Sequence, residues 1–308
     1  MNLPKLNPHL ALAIGVVAVS TSAIFVKVSS APPGVIAFYR LLFSVLFMAP
    51  LFLFKYVHEL RLITKRDWIF SVVSGIFLAF HFIFWFESLN FTSVASSTVL
   101  VTLQPLFAFL GGYIFFKETF SWKAIASGLL AIIGSVCISW GDFKLSGAAL
   151  YGDILALVAC ALVTAYLMFG QAMRKRLSLV TYTFVVYTIS AITLLLYVLI
   201  VKEPLAPYPA SDWVYFILLA LIATLLGHTL FNWSLKWIST SIISMAILFE
   251  PVGATILAFF LLNEKVLWTQ VVGGLIVILG ILLFIIDERK IKVKESHSKS
   301  LQEERTSL

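Results

Sequence analysis

The sequence predicts an all-α integral membrane protein of ten transmembrane helices, arranged as two inverted five-helix repeats. Three observations carry this. Apolar residues make up 61% of the chain, charged residues 12%, and mean hydropathy is +1.01. A soluble domain sits nearer half apolar and a quarter charged, so lipid must cover the surplus apolar surface. Ten apolar runs approach the roughly 20 residues a helix needs to cross the hydrocarbon core. The two halves of the chain also repeat one another.

The runs are helix 1 (9–28), helix 2 (34–54), helix 3 (68–87), helix 4 (93–115), helix 5 (122–140), helix 6 (149–170), helix 7 (179–201), helix 8 (213–235), helix 9 (241–262) and helix 10 (267–286). Short links rich in turn formers join them, such as Ala31-Pro32-Pro33-Gly34. Helix 1 is read as a retained helix rather than a signal peptide. Its n-region holds only Lys5, and no A-x-A cleavage site follows. The polar segment 288–308 is read as a disordered cytoplasmic tail.

Lys and Arg set the orientation. With the N-terminus inside, 17 of the 22 basic residues fall on the inner side. The outer side holds Lys27, Lys144, Lys202 and Lys265, and Arg40 lies within a span. Cytoplasmic loops carry such an excess, which predicts a plasma or inner membrane protein with both termini cytoplasmic. The formal net charge of +7 is therefore read as a membrane-facing pattern, with no nucleic-acid partner.

A shift of 146 residues superposes the halves, 1–144 and 145–287. Gln104-Pro105 meets Glu250-Pro251, and Phe91-Thr92-Ser93 meets Trp237-Ile238-Ser239. Glu118 meets Glu264, Trp122 meets Trp268, Gly128 meets Gly274, and Gly134 meets Gly280. His81 meets His228 with one inserted residue, while the first two helices of each half align poorly. Five is odd, so the second half enters the membrane from the opposite side. Inverted repeats of this kind build secondary transporters with a site near the midplane.

The motifs in these halves are Phe25-Val26-Lys27, Phe38-Tyr39-Arg40, Gln104-Pro105-Leu106-Phe107 with Lys117-Glu118, and Glu250-Pro251-Val252 with Asn263-Glu264-Lys265. With two Pro-to-Glu spacings of 13 residues in paired halves, the chain resembles the ten-helix EamA branch of the drug/metabolite transporter superfamily over residues 9–286. The resemblance implies a secondary transporter for a small-molecule substrate, an exporter more readily than an importer, with an amino acid as one possible cargo.

Several residues are candidates for that work. Glu250 lies near the middle of helix 9, where a carboxylate is costly and should face a wet cavity or a partner. It is read as a substrate-amine or proton site, or else as a structural acid. Gln104 is its mirror mate, and Ser97 lies seven residues earlier on the same face. Pro105 and Pro251 either kink their helices or expose carbonyls at the bend. Arg40 sits six residues into helix 2, about 9 Å from its end at ~1.5 Å per residue, so it either clamps a carboxylate or snorkels outward. His81 and His228 pair as a possible proton relay or as neutral structural groups. Trp85 and Asn232 align at matching depth and are read as lining the substrate pocket. Glu118 and Glu264 are read as complementing the dipoles of the helices that follow them, with gating as a second role. Gly128, Gly134, Gly274 and Gly280 are expected at close helix crossings.

The sequence also excludes some classes. There is no P-loop, so ATP does not drive the chain directly. Cys137 and Cys160 lie in apolar runs, the histidines are scattered, and no metal site, cofactor or catalytic set is expected. Two rival classes stay open: an intramembrane enzyme acting on lipid, and a receptor without a central cavity.

Overall fold

The computed structural model describes residues 6–92, 94–140, 147–262 and 266–306. Among these, nine helices are long and apolar enough to cross a membrane: Pro8–Val28, Pro33–Leu62, Lys65–Phe91, Ser96–Phe116, Gly147–Met173, Leu179–Val201, Ala210–Ser234, Thr240–Leu261 and Trp268–Glu288. A tenth, the shorter apolar helix Trp122–Ile138, occupies the place of helix 5. The expected ten are all present. Large apolar side chains such as Leu110, Phe115, Ile200 and Leu275 are exposed, as lipid-facing residues must be.

The helices begin where local chemistry starts them. Asn7 caps helix 1, Ser121 helix 5 and Ser178 helix 7, each side chain accepting a backbone N–H of the first turn. Helix 3 opens with a capping box, in which Asp67 N donates to Thr64 Oγ1 at 3.3 Å and Thr64 N donates to Asp67 Oδ2 at 3.2 Å.

Packing follows the repeat. Helix 3 lies against helix 6, and helix 8 against helix 1; exchanging the halves turns one pair into the other. Helices 2 and 7, 4 and 9, and 5 and 10 pack as self-mirrored pairs. Even helices 1 and 2, whose sequences align poorly with 6 and 7, obey this pattern.

The helix 5–helix 10 seam shows the symmetry at atomic scale. A Cβ added to Gly134 would lie 2.6 Å from Val277 N, and one added to Gly280 would lie 2.7 Å from Ala131 N. Val277 and Ala131 are themselves 146 residues apart. Only a missing side chain lets backbones approach so closely. Gly134 and Gly280 thus act as expected. Gly274 does not: its Cβ position is 3.6 Å from Val252, an ordinary contact, and Gly273 takes the crossing beside Gly134 instead. Gly128 faces the Phe109 ring rather than a helix backbone.

Two mirrored acids tie helix ends together. Arg176 Nη2 pairs with Asp67 Oδ2 at 3.3 Å, linking the end of helix 6 to the start of helix 3. Ser30 Oγ donates to Asp212 Oδ2 at 2.6 Å, linking the end of helix 1 to the start of helix 8.

The structure differs from the sequence reading after Asp287. Helical backbone continues without a break to Thr306, where a disordered tail is expected. Lys, Glu and Gln are good helix formers, and extending an existing helix needs no new nucleus. Ser93, Lys144, Asn263, Glu264 and Lys265 lie outside the described residues.

Candidate functional site

Helices 4 and 9 are interrupted midway. Helix 4 comprises Val94–Val101 and Gln104–Phe116, and helix 9 comprises Thr240–Ile247 and Glu250–Leu262. Pro105 and Pro251 each stand second in the new half-helix, where a missing N–H leaves no bond unmade. The prolines therefore restart their helices rather than merely bend them. Each restart puts a polar residue first. Gln104 and Glu250 sit at half-helix N-termini, where unpaired N–H groups favour negative charge. That is a physical reason for a carboxyl group at this depth.

Around these two starts the structure gathers Arg40, His81, Trp85 and His228. All six line one narrow cavity of about 20 Å³, completed by an apolar wall that includes Val19, Val163, Leu167 and Phe231. Such a space admits about one water.

Arg40 is fully buried and does not reach outward. Its Nε donates to Thr224 Oγ1 at 2.7 Å and its Nη1 to Ser22 Oγ at 2.9 Å. The guanidinium lies over the Phe82 ring, 4.2 Å from the centroid. Thr224 belongs to a π-helical stretch, Leu219–His228, in which its hydroxyl donates to Leu219 O at 3.1 Å, five residues back. The hydroxyl's lone pair is thereby left to accept from Arg40. The third guanidinium nitrogen, Nη2, has no hydrogen-bond partner. Glu250 lines the same cavity as this charge.

His81 Nδ1 lies 2.9 Å from Ala159 O. A carbonyl only accepts, so Nδ1 carries a proton, which in a neutral ring leaves the lone pair on Nε2. The ring stacks on Trp85 at 5.8 Å. Trp85 Nε1, Gln104 Oε1 and His228 Nδ1 are buried without partners, like Arg40 Nη2. A buried polar atom without a partner costs free energy, so four beside one cavity need an account.

Two candidates fall outside this lining. Asn232 Nδ2 donates to His228 O at 2.8 Å and to the Tyr166 hydroxyl, while its backbone carbonyl accepts from Arg174 Nε at 2.9 Å. It braces helices 6 and 8. Ser97 Oγ is bonded to Ser88 Oγ at 2.6 Å, tying helix 4 to helix 3. Conversely, Ser22 and Thr224 escape a sequence reading, since isolated hydroxyls are common in spans.

Ten crossing helices in two inverted halves, interrupted in mirror positions around a buried polar cavity, define a membrane transporter of the inverted-repeat class. Residues 7–140 and 150–286 each match the EamA-like transporter family, and the chain belongs to that family. Its relatives include the uncharacterized transporter YxxF of Bacillus subtilis (strain 168), 25% identical over 80% of this chain and 79% of its own. An uncharacterized transporter of Archaeoglobus fulgidus is 26% identical over 89% of this chain and 96% of its own. A solved crystal structure matches with a TM-score of 0.75 at 17% identity, covering 92% of this chain and 98% of that one, a likeness of fold.

Proposed function

We propose that the chain is a secondary active transporter of the plasma or inner membrane, with both termini cytoplasmic. It exports a small organic metabolite such as an amino acid, by alternating access between its two halves. One observation carries this reading: Arg40 Nη2 and the Glu250 carboxyl share one narrow cavity with three unpaired polar atoms, Trp85 Nε1, Gln104 Oε1 and His228 Nδ1. A zwitterion complements that array, its carboxylate on Arg40 and its ammonium on Glu250. Proton coupling follows from the same acid. Ionised Glu250 holds the ammonium, and its protonation releases it; His81 Nε2 and His228 Nδ1 are bases from which a proton can be relayed.

The test has two stages. Purified protein is screened by thermal shift against amino acids, nucleosides, sugars and drugs, where a binder at 100 times its Kd stabilises by about 2.7 kcal/mol. The binder is then followed in proteoliposomes with and without a pH gradient. Coupled transport should accumulate it uphill in the wild type and lose that drive in Glu250→Gln. Purely downhill, gradient-independent flux sinks the coupling. Intact transport in both Glu250→Gln and Arg40→Ala sinks the site.

A further inference from the structure

Glu118 is read from sequence as complementing the dipole of helix 5, yet Ser121 already caps that helix, accepting from Ala124 N at 2.9 Å. Glu118 does something else. Lys117 adopts a left-handed backbone (φ 56°) and turns the chain back, so that Glu118 N donates to Gly112 O at 3.0 Å. The carboxylate then spans two other helices. Its Oε1 accepts from Gln171 Nε2 at 2.9 Å, at the end of helix 6, and its Oε2 accepts from Ser241 Oγ at 2.8 Å, at the start of helix 9. Gln171 Oε1 closes the ring by accepting from Thr240 N at 2.6 Å. Gly112 makes room for it: a Cβ there would lie 2.8 Å from Glu118 Oε2 and 3.0 Å from Ser241 Oγ.

This ring joins the first repeat to the second on the side where helices 4 and 6 end and helix 9 begins. Outside it lies an open vestibule of about 340 Å³ that includes Glu118, Trp237, Ser239 and Ser241. Inside it, helix 9 leads to the central site. Ser241 and Ser244, three residues apart, share one face of the first half-helix, and two residues separate its end at Ile247 from Glu250 at the start of the second. Ser241 to Glu250 spans about 13 Å at ~1.5 Å per residue, close to half the hydrocarbon thickness. Ser244 is fully buried and its hydroxyl has no partner. Its mirror mate Thr98, six residues before Gln104 on the other half-helix, is also buried with an unpartnered hydroxyl. The unpaired hydroxyl thus recurs at mirror positions in the two halves, six residues before Gln104 and six before Glu250.

We propose that the Glu118–Gln171–Ser241–Thr240 ring is the inner gate of the transporter, and that Ser244 lines the route from that gate to Glu250. The inference rests on the transport reading and adds these residues to it. Opening breaks the bonds of one carboxylate, after which the Ser241–Ser244 face of helix 9 is wet from the vestibule inward. Thr98 holds the equivalent place on the outer route.

The test measures access and needs no substrate. Cys137 and Cys160 are replaced by Ala, Ser244→Cys is introduced, and inside-out vesicles are labelled with a membrane-impermeant methanethiosulfonate. Glu118→Ala removes both carboxylate bonds and should speed labelling from the inner side by about tenfold or more. Ser241→Ala leaves the Glu118–Gln171 bond and should speed it less. Thr98→Cys should show no such acceleration. Size-exclusion profiles check folding, and Ser241→Ala carries the test alone if Glu118→Ala aggregates. The gate is overturned if labelling of Ser244→Cys is unchanged in the folded gate variants, fails in all backgrounds, or proceeds only from the outer side. Those results leave proteoliposome transport untouched, so the two readings fail separately.

Discussion

Replacing Arg40 by Met tests whether the central site is a charged constellation held by the fold. Met keeps much of the side-chain volume and removes the charge. The substitution deletes the donors to Thr224 Oγ1 and Ser22 Oγ and the contact with the Phe82 ring. It also leaves Glu250 facing the cavity without its opposite charge. Buried hydrogen bonds to a charged group are worth about 1.5–3 kcal/mol each, so losing both from Arg40 should cost about 3 kcal/mol or more. At roughly 2–4 °C per kcal/mol for a chain of this order, the thermal midpoint should fall by about 6 °C or more. Restoring electrical balance should recover part of this loss. In Arg40→Met/Glu250→Gln no charge remains beside the cavity, and the double variant should be more stable than the two single losses summed, by about 0.5–3 kcal/mol. The assay is thermal unfolding of the four proteins in one detergent, followed by tryptophan fluorescence. Arg40→Lys adds a discriminating arm. It keeps the charge but lacks the three-pronged donor set, so it should fold better than Arg40→Met and still lose transport. The reasoning fails if Arg40→Met unfolds at the wild-type temperature, or if the double-variant effects are simply additive.

Three further outcomes are expected. Gly280→Ala and Gly134→Ala force a Cβ to within 2.7 Å of backbone nitrogen across the helix 5–helix 10 seam, so each should lose about 1–3 kcal/mol in the same unfolding assay, whereas Gly274→Ala should be neutral. Lys117 pays for its left-handed backbone, and Lys117→Gly should raise the midpoint modestly, by up to about 1 kcal/mol, without altering the fold. Glu203, in the loop after helix 7, has its carboxyl held above the usual carboxylate range by burial first and by nearby Glu87 second. The folded state therefore binds this proton more tightly than the unfolded chain does. The stability it contributes is present at low pH and is lost as pH rises from the ordinary value of 4.5 through the raised one. Glu203→Gln should remove that part of the pH dependence and stabilise the protein at neutral pH, as read from midpoints between pH 4 and 8.

Much of this was legible in the sequence because the bilayer enforces it. A helix must be about 20 apolar residues long to cross, so the runs mark their own ends. A charged or strongly polar residue within a span needs a partner or a cavity, which is why Arg40, Gln104 and Glu250 stood out and why they meet. The mirror relation did the same for His81 and His228. What stayed hidden has equally physical causes. Span hydroxyls usually satisfy themselves on a carbonyl one turn back, as Ser20 does on Val16 O and Thr164 on Cys160 O, so nothing marks Ser22 or Thr224 as supports of Arg40. Alignment at equal depth does not fix the direction of a side chain, so Trp85 reaches the cavity while the Asn232 amide turns to Tyr166 and His228 O. Gly273 and Gly274 differ by one residue, about 100° around the helix, and only packing tells which one faces helix 5. The ring at Glu118 depends on the left-handed turn at Lys117, for which a lysine gives no warning.

The repeat explains the geometry of the site, and departures from the repeat explain its chemistry. Symmetry makes both interrupted helices restart at the same depth and brings His81 and His228 to the same cavity. A site symmetrical in charge as well would offer both ends of a ligand the same partner, and could not orient a molecule with distinct ends. Here Gln104 faces Glu250 across the pseudo-two-fold, and Trp85 reaches the cavity where its counterpart Asn232 does not. Arg40 adds the one positive charge of the lining, held by a hydroxyl from each half, Ser22 from the first and Thr224 from the second. That sharing matters for movement as well. In the proposed alternating access, Arg40 cannot keep both bonds unless Ser22 and Thr224 move together. Ser22→Ala and Thr224→Ala each remove one tether, so both should weaken substrate binding through a less ordered guanidinium. If neither variant changes the apparent affinity of the transported ligand, Arg40 is positioned by packing on Phe82 alone.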